Sequence, residues 1–171
     1  MKTLLLLRHG KSSWDDTSLA DFDRPLARRG VKAAKRMGRE MARRGWLPQR
    51  AVVSSAVRTR ETWHLVAAEL PVAAEFEANP RLYDATSTQL LDVIQQTTET
   101  VRTLVVVGHN PGLEDLAHGL AGDDSDRAAL DTVAEKFPTA ALARFEFDGS
   151  WHALRLGGAR LSHCLLPRDL W

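Results

Sequence analysis

Three short segments place anion-binding and nucleophilic side chains directly behind apolar runs. Arg8-His9-Gly10 follows Leu4 to Leu7, Ser54-Ser55 and then Arg58 follow Ala51 to Val53, and Gly108-His109-Asn110-Pro111 follows Leu104 to Val107. A neutral imidazole is a competent nucleophile near neutral pH when its second nitrogen is held as a donor, usually by a carbonyl in the following turn. A forked guanidinium suits a transferring phosphoryl group, whose charge is spread over its equatorial oxygens. The residue types therefore point to phosphoryl transfer through a phosphorylated histidine. His9 is the candidate nucleophile, Arg8 and Arg58 the candidate clamp, and His109 a third donor from the opposite side. The scheme requires neither metal nor cofactor. Gly10, Lys11, Ser12, Ser54 and Asn110 are candidate substrate-binding residues, although serines in turns after strands also cap helices and lysines are commonly just exposed.

These residues can meet only if the runs that precede them are neighbours in one sheet. Leu4 to Leu7 and Leu104 to Val107 are short and uninterrupted, as in parallel strands buried on both faces, and Ala51 to Val53 is a weaker third. Each leads through a polar turn into a helix-like stretch, which predicts an α/β layered fold with ligand-binding loops at the carboxyl ends of the strands. Helical spacing and end signals predict helices over 27–44, 58–70, 88–96 and 113–120. The stretch 71–86 reads as irregular and leaves little chain for a lid, so the site should be open. Ala140 to Phe147 and Trp151 to Leu156 read as a hairpin joined across Asp148-Gly149. The segment Gly122 to Asp126 reads as a polar loop, and the tail from Leu161 to Trp171 as apolar enough to dock on the body.

Composition bounds the alternatives. The chain has 171 residues, 44% hydrophobic and 26% charged, which fits one globular domain over 1–171. The lone Cys164 permits no disulfide framework within the chain. With 23 Lys plus Arg against 22 Asp plus Glu, the net charge of +1 gives no general attraction to nucleic acid or membrane. The apolar run near the start is too short for a signal peptide and no segment is long enough to span a bilayer, so the expectation is a cytoplasmic protein. Glu114 and His118 lie one helical turn apart and could be read with His109 as a metal cluster, but a helix-face contact accounts for them and no metal is expected. The helix over 28–44 carries many Lys and Arg against the single acid Glu40, a solvated face or a surface for an acidic protein partner.

Leu7-Arg8-His9-Gly10-Lys11-Ser12, then Ser54-Ser55-Ala56-Val57-Arg58-Thr59-Arg60-Glu61-Thr62, then Val107-Gly108-His109-Asn110-Pro111, in this order, resemble the histidine phosphatase superfamily, also called phosphoglycerate mutase-like. The short chain resembles its small SixA-type branch, the phosphohistidine phosphatases, and Arg24-Pro25-Leu26, Arg29-Gly30 and Leu82-Tyr83-Asp84 match that branch's layout. The resemblance implies a three-layer α/β/α sandwich with a mostly parallel central sheet, and a phosphohistidine intermediate on His9 in a pocket of Arg8, Arg58 and His109. Larger members carry a glutamate general acid, whose nearest counterpart here is Asp84. The branch often has an acid where Lys11 stands, so this rim is more basic. The implied substrate is a phosphorylated protein, such as a histidine-phosphorylated signalling domain, with small phosphoesters or non-catalytic phospho-ligand binding as alternatives. Transfer between substrates fits less well, since an open site admits water.

Overall fold

The computed structural model describes residues 1–170. Trp171, and with it the end of the apolar tail, lies outside the described residues. The strands are β1 (Lys2–Arg8), β2 (Arg50–Ser54), β3 (Glu75–Asn79), β4 (Thr103–Gly108), β5 (Leu142–Phe147) and β6 (Arg160–Leu165). The helices are α1 (Arg28–Arg44), α2 (Val57–Ala67), α3 (Ser87–Gln95), α4 (Gly112–Leu120) and α5 (Arg127–Glu135). They form one sheet in the order β3-β2-β4-β1-β5-β6, in which β1 to β4 run parallel and β5 lies antiparallel to both β1 and β6.

The uninterrupted apolar runs behave as their composition requires. Side chains alternate between faces along a strand, and every residue from Leu4 to Leu7 and from Leu104 to Val107 is fully buried. Leu4, Leu6, Leu104 and Val106 pack against α3, α4 and α5 through Leu90, Leu113, Leu116 and Val133. Leu5, Leu7, Val105 and Val107 pack against α1 and α2 through Met37, Met41, Trp63 and Val66. The expected α/β/α layering follows directly, each fully buried aliphatic side chain contributing about 1.5–3 kcal/mol. Helix ends fall within a few residues of their sequence signals. Gly45 ends α1 in the left-handed region at φ 72°, and a capping box between Thr86 and Gln89 opens α3.

Two expectations are corrected, and one helix is added. The stretch 71–86 contains β3, an edge strand in which Phe76 and Ala78 alternate with Glu75, Glu77 and Asn79 but stay exposed, so no buried run marks it. Trp151 to Leu156 is not a strand; β5 pairs with β6 instead. Trp151 is fully buried, and its indole N–H donates to the Val101 carbonyl at 2.7 Å, which pins this segment across the sheet end rather than along β5. Helix α5 was not anticipated: it is capped by Asp126, whose carboxylate accepts from the Ala129 N–H at 3.0 Å, so the polar loop before it ends in a helix start.

Candidate active site

Register alone brings the two histidines together. Arg8 of β1 pairs with Gly108 of β4, so His9 and His109 leave adjacent strands side by side, their ring centroids 5.2 Å apart. Val53 of β2 pairs with Val107, which sets Ser54 beside Gly108. Ser54, fully buried, meets the His109 Nε2 through its hydroxyl at 2.8 Å. Ser54 thus holds His109 from behind and does not line the cleft.

The His9 imidazole is oriented as a nucleophile must be. Its Nδ1 lies 2.7 Å from the Gly10 carbonyl, to which only an N–H can donate, so the proton sits on Nδ1 and Nε2 keeps its lone pair. Burial, then the charges of Arg58, Arg8 and Arg24, lowers the pKa of His9 to about 4 against the opposing hydrogen bond to Gly10. Burial, then His9 and Arg58, lowers that of His109 to about 3. Both rings are neutral at pH 7. The Gly10 loop is tied down from below, its N–H donating to the Thr62 hydroxyl of α2 at 3.0 Å, while the Ala140 N–H donates to the His9 carbonyl at 2.9 Å.

The cleft has a volume of about 290 Å3 and is lined by Arg8, His9, Lys11, Ser12, Arg58, His109 and Asn110 of the expected set. Trp14, Arg24 and Thr139 line it as well, and none of these was singled out as a site residue from the sequence. Arg24 is buried, donates from Nη2 to the Ser12 hydroxyl at 2.5 Å, and has its guanidinium beneath the Trp14 ring, 3.2 Å from the centroid. Trp14 is 66% exposed and forms an aromatic rim. Arg8 donates to the Phe137 carbonyl at 3.2 Å, and Asn110 donates to the same oxygen at 2.8 Å and to Glu114 at 3.0 Å. Glu114 therefore serves as a partner of Asn110, and among the described residues no group of three potential metal ligands gathers. Arg8 Nε, His109 Nδ1 and Asn110 Oδ1, all on residues that line the cleft, are buried polar atoms without a protein partner.

Asp21 organises the cations. Its carboxylate accepts from Tyr83 at 2.5 Å, from Arg58 Nη2 at 3.0 Å and from Arg24 Nη1 at 3.1 Å, and its carbonyl accepts from Arg58 Nη1 at 2.7 Å. The Tyr83 hydrogen bond, followed by those from Arg58 and Arg24, lowers the Asp21 pKa to about 2, so it is ionised and cannot supply a proton at neutral pH. The turn at Leu82-Tyr83-Asp84 aims Tyr83 at Asp21, with its ring edge-on to His109 at 5.4 Å. Asp84, at φ 55°, is exposed, has no hydrogen-bond or ion-pair partner among the described residues, and lies outside the cleft lining. Lys11 is exposed at the rim.

Depressed histidine pKa values make both activity and stability depend on pH. Above pH 6.5 both states hold neutral imidazoles; between pH 6.5 and about 4 the unfolded chain binds a proton that folded His9 refuses, so stability falls as pH falls through this window. His9 accounts for about 3 kcal/mol of that loss at 1.36 kcal/mol per pKa unit. Urea unfolding between pH 7.5 and 4 is expected to show the decline, and kcat/KM to keep its plateau to about pH 5. An acid limb near pH 6.5 would contradict buried, neutral rings.

Two neutral imidazoles on adjacent strand ends, ringed by guanidinium groups in an open cleft of an α/β/α sandwich, define a phosphatase of the histidine-phosphatase type. The chain belongs to the histidine phosphatase superfamily (branch 1), whose family model matches residues 4–100. It is similar to an uncharacterised chloroplastic protein of Arabidopsis thaliana, 39% identical over 132 residues that cover 71% of this chain and 60% of that protein. This chain therefore spans less than two thirds of that relative. An uncharacterised protein of Mycobacterium tuberculosis is 34% identical over 169 residues, covering 95% of this chain and 100% of the relative. Among solved structures, one assigned as phosphohistidine phosphatase SixA from Nakamurella multipartitia superposes with a TM-score of 0.82 at 28% identity, covering 97% of this chain and 96% of that one. No helix of the described residues is long and apolar enough to cross a membrane.

Proposed function

We propose that this chain is a phosphohistidine phosphatase that acts on phosphorylated protein through a covalent intermediate on His9, without a metal. The observation that carries the reading is the neutral His9 ring, with its Nδ1 proton held by the Gly10 carbonyl at 2.7 Å, beside Arg8, Arg58 and His109. His9 Nε2 gives its lone pair to phosphorus while the bond to the leaving nitrogen breaks, that nitrogen keeping the bonding pair. Arg8, Arg58 and the neutral His109 donate to the equatorial oxygens as charge spreads over them. Water then adds to phosphorus and gives up one proton to solvent, which replaces the one the leaving imidazole took from solvent; the bond to Nε2 breaks with its electrons returning to His9, whose Nδ1 proton stays in place, and inorganic phosphate leaves.

The preference for phosphohistidine over alcohol phosphates rests on the acids. An alkoxide must gain a proton as its bond breaks, whereas an imidazole leaves readily without one from the enzyme. Asp21 is ionised and bound to two arginines, and Asp84 stands outside the cleft. Among the described residues the cleft is open, which suits a macromolecular substrate. Phosphate release from a histidine-phosphorylated protein domain is expected to exceed that from an aryl phosphate at equal concentration with chelator present, and Asp84→Asn is expected to leave the former within about twofold. The reverse preference would favour a general phosphomonoesterase and would return Asp84 to the role of acid.

A further inference from the structure

Beside the catalytic cleft lies a second cavity of about 350 Å3, within the size range of pockets that bind ligands. It shares Lys11 and Thr139 with the cleft, so the two are continuous along the rim. Its walls are fixed relative to His9. The first turn of α1, which carries Arg29, presses against the catalytic loop, the Ala27 N–H donating to the Lys11 carbonyl at 2.8 Å. The opposite wall, at Lys136, precedes Phe137, whose carbonyl accepts from Arg8 and Asn110.

The pocket is cationic without internal compensation. Lys11, Arg29 and Lys136 are exposed on its rim, and none has an ion-pair partner among the described residues. Glu135 is the single acid in the lining and lies outside ion-pair distance of all three. Ala33 and Leu166 supply an apolar floor. Farther along α1, Arg39 pairs with Glu69, and Arg43 and Arg44 share Glu40. Arg168 also lines the pocket and is paired with Asp169 at 4.0 Å, and the three unpaired cations stand on separate segments, which suits a chain running past them rather than one phosphate clamp.

We propose that this pocket receives an aspartate or glutamate side chain lying one to three residues from the phosphorylated residue of a polypeptide substrate. The inference rests on the reading of the cleft as a phosphoprotein site. An extended chain advances about 3.3 Å per residue, so neighbours at that spacing fall within about 10 Å along the chain, and the two cavities adjoin at Lys11 and Thr139. The carboxylate meets Arg29 and Lys136 while the stem packs on the apolar floor.

The test compares phosphohistidine peptides that differ only in Glu or Gln at each flanking position. At low ionic strength kcat/KM is expected to be about tenfold higher for Glu at one position, chiefly through KM, and the ratio to shrink as salt screens the contact. In the double variant Arg29→Glu, Lys136→Glu the ratio is expected to fall to one or below; both side chains are exposed, and an unchanged thermal midpoint checks the fold. A ratio of one in the unmodified protein, or a tenfold ratio surviving in the double variant, overturns the proposal. Phosphotyrosine peptides with the same flanks separate the two readings. If these turn over and no phosphohistidine peptide does, the phosphohistidine assignment falls and the flank ratio still decides the pocket. Where turnover is absent, dissociation constants of the same peptides on the His9→Ala protein carry the ratio.

Discussion

Replacement of His9 by alanine is expected to lower kcat by at least about 10⁴-fold and to abolish trapping of labelled phosphate on the protein in rapid quench, since no other described group can take the covalent role. His109 stands 5.2 Å away, but its Nε2 is engaged by Ser54, and its ring carries no carbonyl contact that would direct a lone pair at phosphorus. The same substitution has a second signature. Removing a buried imidazole whose pKa is depressed to about 4 removes its share of the pH dependence, so the variant's stability should decline less than the parent's between pH 6.5 and 4. A variant that is inactive yet keeps the full decline would show that another group titrates there. A variant that still traps phosphate would remove His9 as the nucleophile.

Gly30→Ala is expected to destabilise the protein by about 3 kcal/mol, although alanine is the better helix former by about 1 kcal/mol at an ordinary helical position. A Cβ built on Gly30 in α1 would lie 2.2 Å from the Lys11 carbonyl oxygen and 2.8 Å from the Lys11 nitrogen. These are backbone atoms of the loop that carries His9, with no flexible end to yield. Gly10 faces the same contact from the other side, its Cβ position 2.8 Å from the Gly30 carbonyl oxygen. Helix and loop must therefore separate by about 1 Å, and displacement on that scale costs catalysis about 100-fold. At about 2–4 °C per kcal/mol for a chain of this size, the thermal midpoint should fall by about 6–12 °C. Gly108→Ala, whose Cβ would meet only a Leu113 methyl at 3.8 Å, is the matched comparison and should shift the midpoint far less. Equal shifts for both would mean that the contact between α1 and the loop does not carry the packing claimed for it.

Much of this protein was written locally in the sequence. Strands β1 and β4 are legible because full burial on both faces demands unbroken apolar runs, and α1 because one buried stripe, Ala34, Met37 and Met41, recurs at helical spacing. His9, Arg8, Arg58 and His109 are legible because each follows such a strand, where parallel sheets present their loops. The edge strand β3 was hidden, since its alternation of Phe76 and Ala78 with polar residues is only five residues long and buries neither face. Trp151 misled for the opposite reason: an aromatic after a turn signal reads as a returning strand, whereas its position is set by a carbonyl fifty residues away.

What the sequence determined by itself was the kind of chemistry, because side-chain type and strand-end position fix which groups can attack, clamp and donate. Tertiary structure alone decided how those groups are held. Arg24, Arg58 and Tyr83 converge on Asp21 from segments up to 62 residues away, through contacts that no spacing announces. Ser54 was drawn behind His109 instead of toward the anion, and Tyr83 was turned inward where Asp84 had been expected, because each direction is set by the register and burial of neighbouring elements. Local pattern records what a segment must bury. Which partner fills the remaining space depends on strands and helices distant in the chain, and only the folded arrangement supplies them.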